Sequence, residues 1–245
     1  MDITILVPSS PIPSHPDTKI IDETIQSIRA HLDSEIIIML DGCRDEQKYF
    51  LEAYMEYIRR VLWKCANEWE NVTPLLFEEH THQANMTKKA LTLIKTPLIL
   101  FVEHDTPITP DREIPFAELS GYVLTNKANV IRLHHEALVL DVHRYLMIDE
   151  PDGNLWATYQ WSQRPHLASA DWYRSMLNEH IPPLAKTMIE DAVYGKLESA
   201  YRDRGRAGWE DWKVWMYYPG GDIKRSYHTD GREGQQKYED TFGLS

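Results

Sequence analysis

Short apolar runs alternate with amphipathic stretches over the first 105 residues of the chain. Runs of about four to eight apolar residues that end at turn residues are typical of strands buried on both faces. Such runs predict strands at residues 3–7, 35–40, 72–77 and 97–105. The last run stops abruptly at an acidic group, Glu103-His104-Asp105.

Three stretches between these runs carry apolar residues at helical spacing. They cover residues 17–32, 45–71 and 83–95. In the second stretch, apolar side chains from Phe50 to Trp69 form one stripe, and charged side chains occupy the other faces. Strands that alternate with helices imply parallel strand pairs. The first 105 residues therefore predict an α/β fold, with a mostly parallel sheet flanked by helices.

Beyond Asp105 the alternation becomes irregular. Extended segments are predicted at residues 129–133, 136–141, 157–161, 166–170 and 212–218, and helices at 171–179 and 187–201. The stretch from Asp230 is polar and contains glycine, which predicts an extended or partly disordered tail. We therefore expect one domain over residues 1–230, followed by a tail at residues 231–245.

Composition and charge narrow the classes of function. Lys and Arg number 26 against 38 Asp and Glu, so the formal net charge of the 245-residue chain is -12. This balance disfavours broad electrostatic binding to nucleic acid, which needs a basic surface. Two cysteines, Cys43 and Cys65, cannot by themselves form a disulfide framework or a zinc site. The sequence contains no signal peptide and no run of ~18 apolar residues, so we expect a cytoplasmic protein without a transmembrane segment.

Candidate chemistry lies where the predicted parallel strands end. Open α/β sheets bind ligands just beyond the carboxyl ends of their strands. Asp41 closes the second strand, and Glu103 and Asp105 close the fourth. Such carboxylates suit a hard divalent cation that bridges to substrate phosphates. We therefore predict an enzyme that binds a nucleotide diphosphate through a metal, against the alternative that these residues only cap turns.

An ordered series of landmarks over residues 2–230 resembles glycosyltransferases of the GT-A fold, most closely the large inverting family numbered 2. In the first half the landmarks are the strand ending at Pro8, the strand ending at Asp41-Gly42, the helix start with Asn85, and Glu103-His104-Asp105 in the place of the family's Asp-x-Asp metal motif. In the second half they are Glu190-Asp191, Gly205, the strand ending at Pro219, and His228. The opening segment is also similar to that of small phage-encoded members, whose location would be the host cytoplasm.

The resemblance implies a role for each landmark. A divalent metal, Mn2+ or Mg2+, would be held by Asp105, Glu103 and His228. Asp191 would act as the base on an acceptor hydroxyl, with Glu190 beside it. The donor would be a nucleotide-diphosphate sugar, with a UDP-sugar favoured, on residues 1–105, and the acceptor would lie on residues 106–230. The donor-binding residues would be Pro8, Ser9, Asp41, Asn85, Glu103 and His104.

The chain departs from the family pattern in ways that leave alternatives open. Glu103 replaces the usual first Asp of the metal motif, so Asp105 is the safer ligand. A second acidic pair, Glu210-Asp211, makes Asp211 the alternative base. A sugar nucleotidyltransferase, or a non-catalytic nucleotide-sugar-binding module, would use the same nucleotide site. The sequence does not indicate the oligomeric state, and a protein, a glycan, a lipid carrier and a modified DNA base all stay open as acceptors.

Overall fold

A computed structural model describes residues 2–134, 144–221 and 224–229 of the chain. In these ranges nine strands form one sheet, in the order β3-β2-β1-β4-β8-β5-β9-β7-β6. The strands are β1 (Ile3–Ser9), β2 (Ile36–Leu40), β3 (Val72–Leu76), β4 (Leu98–Phe101), β5 (Val130–Leu133), β6 (Met147–Asp152), β7 (Leu155–Thr158), β8 (His166–Ser169) and β9 (Val214–Tyr217).

The helices of the described ranges alternate with the first strands and then cluster after β8. The α-helices are α1 (Lys19–Arg29), α2 (Leu51–Asn67), α3 (His82–Leu91), α4 (Phe116–Leu124), α5 (Ala170–His180), α6 (Ile189–Arg204) and α7 (Arg206–Glu210). Short 3-10 helices cover Asp45–Phe50 and Arg144–Leu146. In this part of the chain, no helix is both long and apolar enough to cross a membrane.

The first four strands form a parallel block. β1 pairs in parallel with β2 and β4, and β2 pairs in parallel with β3. Every residue of β1, β2 and β4 is buried, and α3 packs against both β1 and β2. Burial on both faces explains why these strands are continuous apolar runs. The predicted strand–helix–strand units are confirmed.

The remaining strands extend the sheet with mixed directions. β8 is antiparallel to both β4 and β5, β9 is parallel to β5, and β7 is antiparallel to β9 and β6. The extended segments predicted at 129–133, 166–170 and 212–218 correspond to β5, β8 and β9, and the later predicted helices to α5 and α6. The segment predicted at 136–141 and the tail from Asp230 lie outside the described residues.

Some predicted boundaries were wrong. The predicted helix 45–71 begins as a 3-10 turn, because no side chain of Asp45–Phe50 is buried to hold a regular helix, and its α-helical part ends at Asn67. The predicted helix 83–95 ends at Leu91. The fourth strand ends at Phe101, although the His104 N–H still bonds the Pro8 carbonyl oxygen at 3.2 Å. The chain therefore runs beside β1 up to the acidic group.

One strand of the second half was predicted at the wrong position, and several elements, β6 and α4 among them, were missed. The strand predicted at 157–161 covers Leu155–Thr158, because Trp161 leaves the sheet edge and enters the core from a loop. The missed strand β6 contains Pro151 and acidic residues, so it lacks an apolar alternation. The missed helix α4 is apolar on most of its positions and contains Gly121, which conceals its helical period.

Candidate functional site

A cavity of about 260 Å3 lies at the carboxyl ends of β1, β2 and β4. The start of α3, the segment before α6 and the chain near residue 228 complete its walls. Most of the predicted site residues are among those that line it, namely Pro8, Ser9, Asp41, Glu103, His104, Asp105 and His228. Asn85, Glu190 and Asp191 are not part of this lining.

Asp41, at the end of β2, anchors the loop that precedes α3. Its Oδ1 accepts the backbone N–H groups of Gly42 (2.9 Å) and Thr81 (2.7 Å), and its Oδ2 accepts that of His82 (3.1 Å). The His80 Nδ1 lies 2.9 Å from Oδ2. The carboxylate is therefore occupied by its own protein, and Asp41 is only 2% exposed. Asp41 also lines the cavity, so the predicted contact with a nucleotide stays a prediction beside its observed role in holding the loop.

Close packing of the chain accounts for the Asp41-Gly42 pair. A Cβ atom at Gly42 would lie 2.3 Å from the carbonyl carbon of Glu79, so a larger residue does not fit. The Tyr54 hydroxyl donates to the Asp41 carbonyl oxygen at 2.7 Å. The Asp-Gly turn signal therefore marks a tight contact between the end of β2 and the loop at residues 79–82.

Asp105 and His228 face each other at the cavity. Nε2 of His228 lies 3.6 Å from Oδ2 of Asp105. The Thr229 N–H donates to the Asp105 carbonyl oxygen at 2.8 Å, and the Tyr227 N–H donates to that of Pro107 at 3.1 Å. Both side chains keep partial exposure, 18% for Asp105 and 33% for His228. A ligand in the cavity can therefore reach both.

His104 is buried in the cavity wall with one ring nitrogen unused. Its Nδ1 lies 3.2 Å from the Pro8 carbonyl oxygen, which assigns the ring proton to Nδ1. Its Nε2 is buried and has no hydrogen-bond partner within the described ranges. Because buried polar atoms in proteins are normally paired, Nε2 is a candidate acceptor for a hydroxyl group of a bound ligand.

Glu103 is hydrogen-bonded to the first turn of α3. Nε2 of Gln83 donates to its Oε1 at 2.5 Å. Burial, with a further contribution from the charge of Asp105, raises the pKa of Glu103 to about 8. The contact with Gln83 therefore joins the end of β4 to α3.

The predicted metal ligands do not form a ready-made cage. Within the described residues, no group of three or more His, Cys, Asp or Glu side chains is arranged to hold a metal ion. Asp105 and His228 supply one oxygen and one nitrogen donor, which suit Mn2+. A cation with few protein ligands takes the others from water and substrate phosphates. This pair therefore fits a metal that is bound together with a diphosphate, while Glu103 is engaged by Gln83.

The acidic pair Glu190-Asp191 lies in the first turn of α6. Oε2 of Glu190 accepts the backbone N–H of Gln163 at 2.9 Å. Asp191 is exposed. The alternative base, Asp211, is exposed in an ion pair with Arg204 at 2.5 Å and does not line the cavity. Met188, which directly precedes this turn, lines the cavity, so the start of α6 lies beside it.

Asn85 is turned away from the cavity toward the segment before α6. Its Nδ2 donates to the Ala185 carbonyl oxygen at 2.7 Å, and the Lys88 Nζ donates to that of Ile181 at 2.5 Å. We expected Asn85 to contact the donor, but its amide holds the 181–189 segment against α3. Helical periodicity did not reveal which face of α3 this segment covers.

The cavity also takes residues that sequence reasoning missed, namely Arg44, His80, His82, Gln83 and Met188. The side chains of Arg44 and His82 are 3.4 Å apart, between Nη2 and Nε2. They also border a wider polar groove of about 670 Å3 that reaches Lys186. For Arg44, the one usable signal was a basic residue just after a strand-end Asp-Gly pair.

Comparison with known proteins identifies the fold. No protein-family model matches the sequence, and no curated protein matches it. A crystal structure of S. aureus TarS residues 1–349 in complex with UDP-GlcNAc is similar, with a TM-score of 0.56 and 15% identity over 100% of this chain and 64% of that chain. This chain therefore spans slightly less than two thirds of that TarS fragment.

Two further structures share the architecture. The mannosyltransferase PcManGT from Pyrobaculum calidifontis, in complex with GDP-Man and Mn2+, gives a TM-score of 0.54 and 13% identity over 88% of this chain and 56% of that chain. A UDP-glucose pyrophosphorylase complexed with UDP-glucose gives 0.56 and 12% identity, over 100% and 98%. The fold is thus α/β, with a Rossmann-like sheet of the GT-A type flanked by helices, as predicted.

Proposed function

We propose that the chain is a glycosyltransferase that moves a sugar from a nucleotide-diphosphate sugar to an acceptor hydroxyl, with inversion at the sugar. One observation carries the proposal: Asp105 and His228 meet in a cavity at the carboxyl ends of parallel strands, where α/β sheets bind nucleotides. Structures of the same fold that hold UDP-GlcNAc or GDP-Man support it. Residues 1–230 would form one domain, with the donor on residues 1–105 and the acceptor on residues 106–230.

Asp105 and His228 would hold a divalent cation, Mn2+ or Mg2+. When bound, the cation supplies positive charge that stabilises the departing diphosphate. The β1 end lines the nucleotide side of the cavity, and the 2.9 Å hydrogen bond between Ser9 Oγ and the Tyr57 hydroxyl keeps it in place. Nε2 of His104 would accept a hydrogen bond from a hydroxyl group of the nucleotide sugar. We expect the donor to be a UDP-sugar.

Asp191 would accept the proton of the acceptor hydroxyl. Glu190 is already engaged by the Gln163 N–H, whereas the neighbouring Asp191 is exposed. An exposed carboxylate can approach an acceptor hydroxyl and act as a general base. Glu190 then fixes the turn that presents Asp191.

Donor binding and transfer can be measured separately. Purified protein is incubated with nucleotide sugars and Mn2+, and a bound donor raises the midpoint of thermal unfolding. The variant D191N should keep this shift and lose transfer by about 100-fold or more, because only the proton acceptor is removed. D203N is the matched control, since Asp203 is an exposed carboxylate near the other end of α6. This variant should keep both the rise in unfolding midpoint and the wild-type rate of transfer.

The two measurements distinguish an error in the proposed function from an error in the proposed base. If no nucleotide sugar shifts the unfolding midpoint and none is consumed, the proposed function is wrong. If donor binding occurs but D191N transfers sugar as fast as D203N, the assignment of the base is wrong and the function stands.

A sugar nucleotidyltransferase is the second candidate. The likeness to UDP-glucose pyrophosphorylase favours it, because that comparison covers nearly the whole of both chains. Such an enzyme would join a nucleoside triphosphate to a sugar phosphate and release pyrophosphate. Product analysis separates the two candidates, since the glycosyltransferase releases a nucleoside diphosphate and no pyrophosphate.

A further inference from the structure

Gln83 lies between the acidic group that follows β4 and the first turn of α6. It is 6% exposed, in the first turn of α3, and lines the cavity. Its Nε2 donates to Oε1 of Glu103 at 2.5 Å, and its Oε1 accepts the backbone N–H of Ile189 at 3.0 Å. One side chain therefore joins the end of β4 to the first residue of α6, next to Glu190.

The orientation of this amide is determined by its partners. The Ile189 N–H can only donate, so the carbonyl oxygen of Gln83 must face it. The NH2 group is then directed to the carboxyl group of Glu103. A methionine, which has a similar length but no amide, can make neither of these bonds.

The start of α6 is also held from its other side. Glu190 accepts the N–H of Gln163 at 2.9 Å, and the Gln163 Oε1 accepts the Trp161 indole N–H at 3.2 Å. The first turn of α6 is thus clamped between Gln83 and the loop at residues 161–163. Within this turn, Asp191 is the carboxylate left exposed.

The segment before α6 has other attachments to α3. The Ala84 N–H donates to the Thr187 carbonyl oxygen at 3.3 Å, and Asn85 and Lys88 bond the carbonyl oxygens of Ala185 and Ile181. Loss of the Gln83 bonds therefore leaves the segment docked. It removes the direct link between the end of β4 and the start of α6.

We propose that Gln83 is a positioning residue that sets the first turn of α6, and with it Asp191, against the Glu103–Asp105 edge. This inference rests on the proposed function in one respect, that Asp191 accepts the acceptor proton. A displacement of about 1 Å at a reacting group can cost about 100-fold in rate. Gln83 would thus affect the transfer step more than the binding of the donor.

The variant Q83M tests the link, because methionine has a similar length and makes neither hydrogen bond. Q83N is the second variant, since it keeps an amide but is too short to reach both partners. T87V is the matched control: Thr87 is buried on the same helix, and its hydroxyl donates to the backbone carbonyl oxygen of Gln83 at 2.8 Å, a bond that lies within α3. All three substitutions remove buried hydrogen bonds of α3.

Hydrogen exchange measured without any ligand tests the contact directly. In Q83M and Q83N the Ile189 amide should exchange about tenfold faster than in the wild type, because its acceptor is lost. In T87V the Ile189 amide should exchange at the wild-type rate. Equal exchange of Ile189 in all four proteins would overturn the proposed link, whatever the reaction of the enzyme.

Kinetics with a nucleotide sugar tests the consequence. In Q83M and Q83N, kcat for transfer should fall by about 10- to 100-fold. The KM for the donor sugar nucleotide, and the rise in unfolding midpoint caused by UDP and Mn2+, should stay within about twofold of the values for T87V. A parallel loss of donor affinity and kcat would show a general disturbance of the site and overturn the positioning role. If the wild type neither binds nor consumes a nucleotide sugar, the proposed function fails, and the exchange of Ile189 still decides the link.

Discussion

Asp41 and Asp105 follow the two strands that flank β1, and each is the acid at the end of a buried apolar run. Their surroundings differ. Asp41 receives three backbone N–H groups and is 2% exposed, whereas the side chain of Asp105 is 18% exposed and meets the His228 imidazole. The difference arises from the segment that packs on each strand end. One brings backbone amides and the other a side chain, so the carboxylate of Asp41 is satisfied by its own chain, whereas that of Asp105 stays accessible from the cavity.

The largest expected effect belongs to Asp105. D105N should lower transfer by about 1000-fold, because a neutral amide is a poor ligand for the cation that stabilises the leaving diphosphate. Its free energy of unfolding should change by less than about 1 kcal/mol, since the side chain is partly exposed. Transfer assays and urea unfolding measure the two quantities. Turnover by D105N at the wild-type rate would show that transfer does not depend on the Asp105 carboxylate.

Asp41 should give the reverse result. D41A leaves three backbone N–H groups without their acceptor in a buried place, so the free energy of unfolding should fall by about 4 kcal/mol. Urea unfolding of D41A and D105N side by side measures the contrast. If D41A were as stable as D105N, the loop at residues 79–82 would not depend on Asp41, and its carboxylate would be available for a ligand.

A third prediction concerns a buried histidine beside β4. His166 of β8 lies opposite Phe101 of β4; its Nδ1 lies 2.8 Å from the Arg164 carbonyl oxygen, and its Nε2 lies 3.1 Å from the Tyr173 hydroxyl. Burial lowers the pKa of His166 to about 4, with a smaller lowering from the charge of Arg132 and an opposing effect from the bond to Arg164.

The sign of the resulting pH effect follows from proton uptake. The unfolded chain, with an ordinary histidine pKa of 6.5, binds a proton between pH 6.5 and 4 that the folded protein does not bind. Stability is therefore complete above about pH 6.5 and falls by on the order of 3 kcal/mol down to about pH 4. H166Q should show a smaller fall in urea titrations over this window. Equal slopes for the two proteins would contradict the prediction.

Asp211 should give the smallest effect. Its ion pair with Arg204 is exposed on both sides, so D211N should change the free energy of unfolding by less than about 1 kcal/mol. Transfer should stay within about twofold of the wild type, because Asp211 does not line the cavity. A loss of transfer comparable to that of D191N would make Asp211 the base.

The sequence could predict the parts of the fold that depend on local pattern. The parallel block follows from apolar runs separated by helical stretches, and the strand-end position of Asp41, Glu103 and Asp105 follows from it. The use of each side chain depends on distant segments. Gln83 meets Ile189 across 106 residues, and no local period reports which segment will dock on α3.

The second half was less predictable for a related reason. β6 and α4 carry weak periodicity, and their place is decided by packing against neighbours that come from elsewhere in the chain. His228 was indicated only by the resemblance to a family, because a lone histidine after an irregular stretch has no local signal. Its contact with Asp105 depends on backbone bonds made by Tyr227 and Thr229.

Those backbone bonds join the Asp105 edge to one of the last described segments of the chain. Thr229 is bonded to a residue that leaves the ribosome 124 positions earlier. A nascent chain that has just completed β4 already has all four strands of the parallel block, yet its cavity still lacks the imidazole of His228. A chain truncated within α6 or α7 would therefore lack His228, so the Asp105–His228 pair requires almost the entire described chain.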